Sequence, residues 1–241
     1  MLEATAWGAL GASSLLLGAL LGTTGRIHRQ AVGLILGFGA GALISAVSFE
    51  LTEEAFELGG ADATAGGLAL GALAFFTGDA ALHRRGAANR KQVRDEEEAS
   101  GAALLLGAVL DGVPESAVIG ITLLAGGEVS VAMLAAVFIS NLPEGIGGAT
   151  GMHAAGRSRR AILTAWAAVA LVCALSAGIG YAALDGASGE VVALLQAFAA
   201  GGVLTMLADT MIPDAYRQGG RVTGLLTVLG FALAALLSAS G

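Results

Sequence analysis

Residues 140–145 read Ser140-Asn141-Leu142-Pro143-Glu144-Gly145 and stand in the middle of an apolar run. A proline inside a helix removes one N–H and clashes with the carbonyl four residues back. Pro143 therefore predicts a kink that frees the carbonyl of Ile139, with a carboxylate on the next residue. Upstream, residues 111–116 repeat the pattern as Asp111-Gly112-Val113-Pro114-Glu115-Ser116, again inside a long apolar stretch, and Pro114 frees the carbonyl of Leu110. The two motifs align at an offset of 29, with Pro114-Glu115 over Pro143-Glu144. The third proline of the chain also precedes an acid, in Pro213-Asp214. Acids inside a membrane segment are costly and usually functional. Carboxylates beside freed carbonyls on broken helices form the pattern of an intramembrane cation site.

Apolar runs of about twenty residues recur along the whole chain, the signature of transmembrane helices. The sequence is 56% apolar and 13% charged, with a mean hydropathy of +0.79, which argues against a soluble domain. Glycine is abundant and spaced for close helix packing, as at Gly33, Gly37 and Gly41 and again at Gly67 and Gly71. Cys173 is the single cysteine, so no internal disulfide forms. The first apolar segment follows Glu3 rather than a basic leader and reads as an ordinary span.

The reading is an all-α integral membrane protein, a single polytopic domain over 1–241 with eight transmembrane helices. They are expected at about 4–21, 31–55, 66–82, 101–125, 130–152, 161–183, 190–212 and 222–238, with a cytoplasmic loop at 83–100. All twelve Lys and Arg residues fall in the first, third, fifth and seventh connections. The positive-inside rule places those connections in the cytoplasm and both termini outside, in a multi-pass protein of the cell (inner) membrane. The 83–100 loop turns from basic to acidic, the pattern of a solvated linker.

Helix two resembles helix seven at an offset of 160. Phe38/Phe198, Ala40/Ala200, Gly41/Gly201 and Ala55/Ala215 are identical, and Glu54 meets Asp214. The two helices are expected to run in opposite directions, so the pattern predicts an inverted repeat, a hallmark of many secondary transporters.

On helix four, Asp111 and Glu115 share a face; on helix five, Ser140, Asn141 and Glu144 do. Ionised acids there cost roughly 2.5–3.5 kcal/mol each, and nothing basic lies in either helix core. A divalent ion shared by the carboxylates meets that cost. Further candidates line a path. Glu50, Glu53, Glu54 and Glu57 cluster at the outer end of helix two, as a funnel for cations or simply a solvated helix end. Asp209 and Asp214, with Met206 and Met211, sit near the inner end of helix seven. Met152-His153 ends helix five on the cytoplasmic side, where His153 is a candidate exit ligand. Asp79 with His83 reads as a local interfacial pair, and His28 as a solvated turn residue.

The paired Pro-Glu motifs, the eight-helix topology and the Met211-Ile-Pro-Asp-Ala215 ending resemble the ZIP (Zrt/Irt-like) family of divalent metal transporters. The resemblance implies a 3+2+3 helix arrangement and a metal centre halfway across the membrane. It implies that Glu115 and Glu144 bridge the metal, with Asp111, Ser140 and Asn141 completing the shell. The family's helix-four histidine position is Asp111 here and its helix-five histidine or glutamine position is Ser140, its asparagine on helix four is Gly112, and helix six carries no acid. Oxygen donors suit Mg, Mn or Ca, whereas imidazole suits Zn and its neighbours; zinc still binds carboxylates. The expected cargo is therefore a divalent metal ion (Zn, Mn, Fe, Co or Cd), with no organic cofactor and no nucleic-acid partner. The partners are the metal ions and the lipid bilayer, and a homodimer is left open. A metal-dependent hydrolase would need an open metal position and a separate base, and the lack of mid-membrane histidine argues against an enzyme. A non-transporting metal sensor or scaffold of the same family is the alternative.

Overall fold

The computed structural model describes residues 1–92, 109, 112–113, 115–123 and 129–239. Those residues form helices and turns, with no strand among them. In chain order the helices are α1 (Leu2–Gly22), α2 (Arg29–Ala46), α3 (Glu53–Gln92), α4 (115–123), α5 (Val131–Ala154), α6 (Arg159–Leu184), α7 (Gly189–Met206), α8 (Ile212–Gly219) and α9 (Thr223–Ser238). Two π-helical turns, Val47–Thr52 and Leu207–Met211, join α2 to α3 and α7 to α8 without breaking the rod.

Five helical stretches among the described residues are long and apolar enough to cross a membrane: Leu2–Gly22, Arg29–Ala81, Val131–Ala154, Arg159–Leu184 and Gly189–Ser238. The second and fifth are interrupted. Gly60 (φ 71°) and Gly220 (φ 69°) lie in backbone space that favours glycine, and each turns the chain between two helical runs. Two starts are capped by serine: Ser130 accepts from the Met133 N–H at 3.1 Å, and Ser158 from the Ala161 N–H at 3.3 Å.

Three sequence expectations are revised. The helix after Gly60 begins at once rather than at 66, because one glycine suffices for the turn. The helix continues to Gln92 into the expected loop at 83–100, through a segment rich in Ala, Arg and Lys, which favour helix; residues 93–100 lie outside the described residues. The helix expected at 190–212 continues through its π turn to Gly219.

Side-chain size rather than polarity separates the faces of these helices. On α1 the buried face is mostly small (Ala4, Gly8, Gly11, Ala12, Ser14, Gly18, Ala19 and Gly22, with Leu15 the one large side chain), while Leu10, Leu17 and Leu20 point outward. Small residues let backbones approach closely, and the glycine contacts sort the helices into two groups. A methyl at Gly18 would fall on the Leu142 carbonyl, one at Gly145 on the Leu15 carbonyl, and one at Gly120 on the Ala177 carbonyl; Gly8 faces Ala174 and Ala177. These contacts join α1, α4, α5 and α6. In the other group, Gly41 lies against the Thr227 carbonyl, Gly230 against that of Phe38, Gly201 against that of Leu68 and Gly71 against that of Phe198. These join α2 to α9 and α3 to α7, each as a parallel pair. The close contacts tie α4 and α5 to α1 and α6.

The contacts also repeat internally. Gly41–Thr227 matches Gly201–Leu68, and Phe38–Gly230 matches Phe198–Gly71, at offsets of 160 and 159. The π turns begin at Val47 and Leu207, and the positive-φ glycines are Gly60 and Gly220, again 160 apart. In the first group, Gly18–Leu142 and Gly145–Leu15 match Gly180–Ala117 and Gly120–Ala177.

Candidate metal centre

The centre is built where α4, α5 and α2 meet. Pro143 lies inside α5 and the helix stays continuous through it, so the Ile139 carbonyl has no amide donor four residues on. Glu115 is 1% exposed, and Ser116, Ser140 and Asn141 are fully buried. Ser140 Oγ lies 3.2 Å from Glu115 Oε2 and 3.0 Å from the Val137 carbonyl, so its one hydrogen is shared between them. Neither Asn141 Nδ2 nor Oδ1 has a hydrogen-bond partner among the described residues. Glu144 follows on the same helix, half-buried. Opposite them, Gly39 of α2 lets Ser140 pack against its backbone: a methyl there would come 3.0 Å from Ser140 Cα and 3.3 Å from Met211 Cε. Buried Ser45 of α2 also carries a hydroxyl without a described partner.

Glu115 and Ser140 are thus brought together, with Asn141 and Glu144 beside them on α5. Asp111 and Pro114 lie outside the described residues. Among the described residues, no group of three or more His, Cys, Asp or Glu side chains is arranged to hold a metal ion.

The packing register changes the relation between the two motifs. In the repeated contacts Ala117 matches Leu142 and Gly120 matches Gly145, an offset of 25. That offset places Ser140 as the counterpart of Glu115, and Asn141 as the counterpart of Ser116. The two Pro-Glu pairs are therefore one helical turn out of register, and the Ser140–Glu115 hydrogen bond joins equivalent positions of the repeat.

Two groups escaped the sequence reading. Cys173 of α6 is fully buried; a methyl at Gly112 would come 2.7 Å from its Sγ. Its thiol lies beside Ser116 and within electrostatic reach of Glu115 and Glu144. Ser176, three residues on, donates to the Val113 carbonyl at 3.1 Å. The Cys173/Ser176 spacing in an otherwise apolar stretch was the available signal. The second group is Gln196, fully buried on α7, whose Nε2 donates to Glu54 Oε2 at 2.9 Å.

The remaining path candidates are dispersed. Glu50 lies in the first π turn and accepts from Ser238 of α9. Asp209 is exposed on the second π turn, Asp214 accepts from Arg217, and His153 is exposed on the last turn of α5. Met206 and Met211 are buried among apolar neighbours, where Met211 reaches the Gly39–Ser140 crossing.

No model of a known protein family matches the chain, and no curated protein matches it significantly.

Proposed function

We propose that this chain moves divalent metal cations across a cell membrane through the site between α4 and α5. The observation that carries the reading is the buried polar set on those helices: Glu115 at 1% exposure, held by Ser140, with the Asn141 amide buried beside it and without a described partner. A protein interior does not bury a carboxylate and an unpartnered amide for packing alone. No Lys or Arg occurs between residues 95 and 156 to neutralise them, so a cation is the natural counter-charge.

The proposed architecture has eight spans. A 53-residue helix would be about 80 Å long, against a hydrocarbon core of about 30 Å. The breaks at Gly60 and Gly220 therefore mark returns through the membrane, and five apolar stretches become seven spans with α4 as the eighth. In this topology the matched halves form an inverted repeat, both termini lie outside, and the group α1, α4, α5, α6 carries the ion against α2, α3, α7 and α9. Glu115 and Glu144 would bind the ion, with Asp111, Ser140 and Asn141 completing the shell, in the manner the resemblance to ZIP transporters implies.

The test is uptake into proteoliposomes of Zn, Mn, Fe, Co, Cd and Mg, beside a Glu115→Ala, Glu144→Ala double variant. Uptake by the wild type that the variant loses supports transport through this site. The absence of imidazole at Asp111 and Ser140, where the resemblance leads one to expect histidine and histidine or glutamine, favours a second reading, a metal sensor or scaffold. Metal binding without uptake of any ion would establish that one.

A further inference from the structure

We propose that Glu54 and Gln196 form a second binding site for a divalent cation, separate from the centre between α4 and α5, at the end of the bundle that the proposed topology places outside. The inference rests on reading the chain as a cation carrier.

Gln196 is fully buried on α7, and its Nε2 reaches Glu54 Oε2 at 2.9 Å. Its Oε1 is also buried and has no hydrogen-bond partner among the described residues. A bare acceptor thus sits in the same amide that meets a carboxylate. Glu50 and Glu57 stand one turn to either side of Glu54 on the same rod and act on it with like charge. No Lys or Arg occurs between residues 30 and 83 or between 161 and 216, so no basic residue lies within 24 positions of Glu54 or within 20 of Gln196 along the chain. A carboxylate beside an unpaired amide oxygen, with two further acids adding negative field, offers oxygen donors to a hard or borderline cation.

A purely structural tie between α3 and α7 is the competing explanation, and the internal repeat weighs against it. The counterpart of Gln196, 160 residues earlier, is Leu36, which is 6% exposed. The fold accepts an apolar side chain at this position, so packing does not require the amide. The counterpart of Glu54 is Asp214, which turns to Arg217 on its own helix instead of reaching across. The acid–amide pair is therefore an addition to one half of a shared scaffold. It replaces an easy apolar contact with a buried acceptor left unpaired, which is unfavourable unless something binds there.

The test is titration of the purified full chain in lipid nanodiscs with Mn2+, counting bound ions by paramagnetic resonance. The wild type is expected to show two classes of site. Glu54→Gln keeps the shape and removes the charge. Gln196→Leu reproduces the residue the fold already holds at Leu36, so folding is not at stake. Each should weaken one class by roughly tenfold or more and leave the other in place, whereas the Glu115→Ala, Glu144→Ala variant should lose the complementary class. Unchanged binding in both Glu54→Gln and Gln196→Leu would overturn the proposal while leaving the central site standing. Unchanged binding in the double alanine variant would sink the central site and leave this one. A wild type that binds no Mn2+ would overturn both.

Discussion

Residues 29–60 and 189–220 build the same backbone from different residues. Each runs as a helix, passes through a π turn, continues as a helix and ends on a glycine at φ near +70°. Only the second has a proline after its π turn, Pro213, where the first has Glu53. The π turn is therefore not a product of the proline. Both turns belong to one apolar core that also takes in residues of α4 and α5, with Val47 and Leu51 matching Leu207 and Met211. The chemistry differs where the backbone does not. Glu50 and Glu54 reach across to Ser238 and Gln196, while Thr210 bonds back to the Met206 carbonyl and Asp214 stays with Arg217. Packing is what the two halves share; the carboxylates that reach other helices belong to the first, while the second meets α9 through the Thr223 hydroxyl, which donates to the Ala215 carbonyl at 3.1 Å.

The shared part should be the most fragile. Gly41 and Gly201 each meet a carbonyl of the partner helix, from Thr227 and Leu68. Valine at either position forces two backbones apart, so each substitution should cost about 3 kcal/mol or more. Loss of the monodisperse peak on size exclusion, or a large drop in thermal midpoint, is expected for both. Tolerance at one and collapse at the other would break the equivalence of the halves.

The next effect isolates backbone strain. A methyl at Gly60 or at Gly220 meets nothing within 4 Å, so alanine is penalised only by the backbone, which at φ near +70° and ψ of −173° and −159° lies in a region essentially reserved for glycine, at about 1–3 kcal/mol. Gly60→Ala and Gly220→Ala should lower the thermal midpoint by similar amounts. A clear inequality would mean that one turn can relax and the other cannot.

Much of this frame was legible in the sequence, because hydropathy and glycine spacing act locally. The identities Phe38/Phe198 and Gly41/Gly201 gave the offset of 160, and the close contacts follow it. Glu115, Ser140 and Asn141 were found by spacing beside a proline, and they are buried together. The register between α4 and α5 was not legible. The Pro-Glu pairs suggested 29, whereas packing gives 25, because α1 and α6 set the height of these helices and the motif does not. Cys173 and Gln196 were missed for a related reason: each gains meaning only from a side chain on another helix. The π turns leave no mark in hydropathy at all.

The polar asymmetry gives two smaller effects. Ser238→Ala removes the donor to Glu50 from half-buried surroundings and should cost about 1 kcal/mol, visible as a modest fall in thermal midpoint. Thr210→Ala, at the position matching Glu50, removes only a bond within its own helix, so it should cost less. Equal losses would argue that Glu50 does not join α9 to the first π turn.

The smallest effect tests whether Asp214 is as isolated as its neighbours suggest. The Arg217 and Asp214 side chains are 73% and 46% exposed and sit three residues apart on one helix. Water screens such a pair, and ordering two flexible side chains offsets most of its attraction, so it contributes a few tenths of a kcal/mol. Arg217→Ala should accordingly leave the thermal midpoint nearly unchanged, and added salt should change the wild type no more than the variant. A loss comparable to that of Ser238→Ala would place Asp214 in a contact that holds helices together, as Glu50 and Glu54 do. The carboxylates of the two halves would then play the same part.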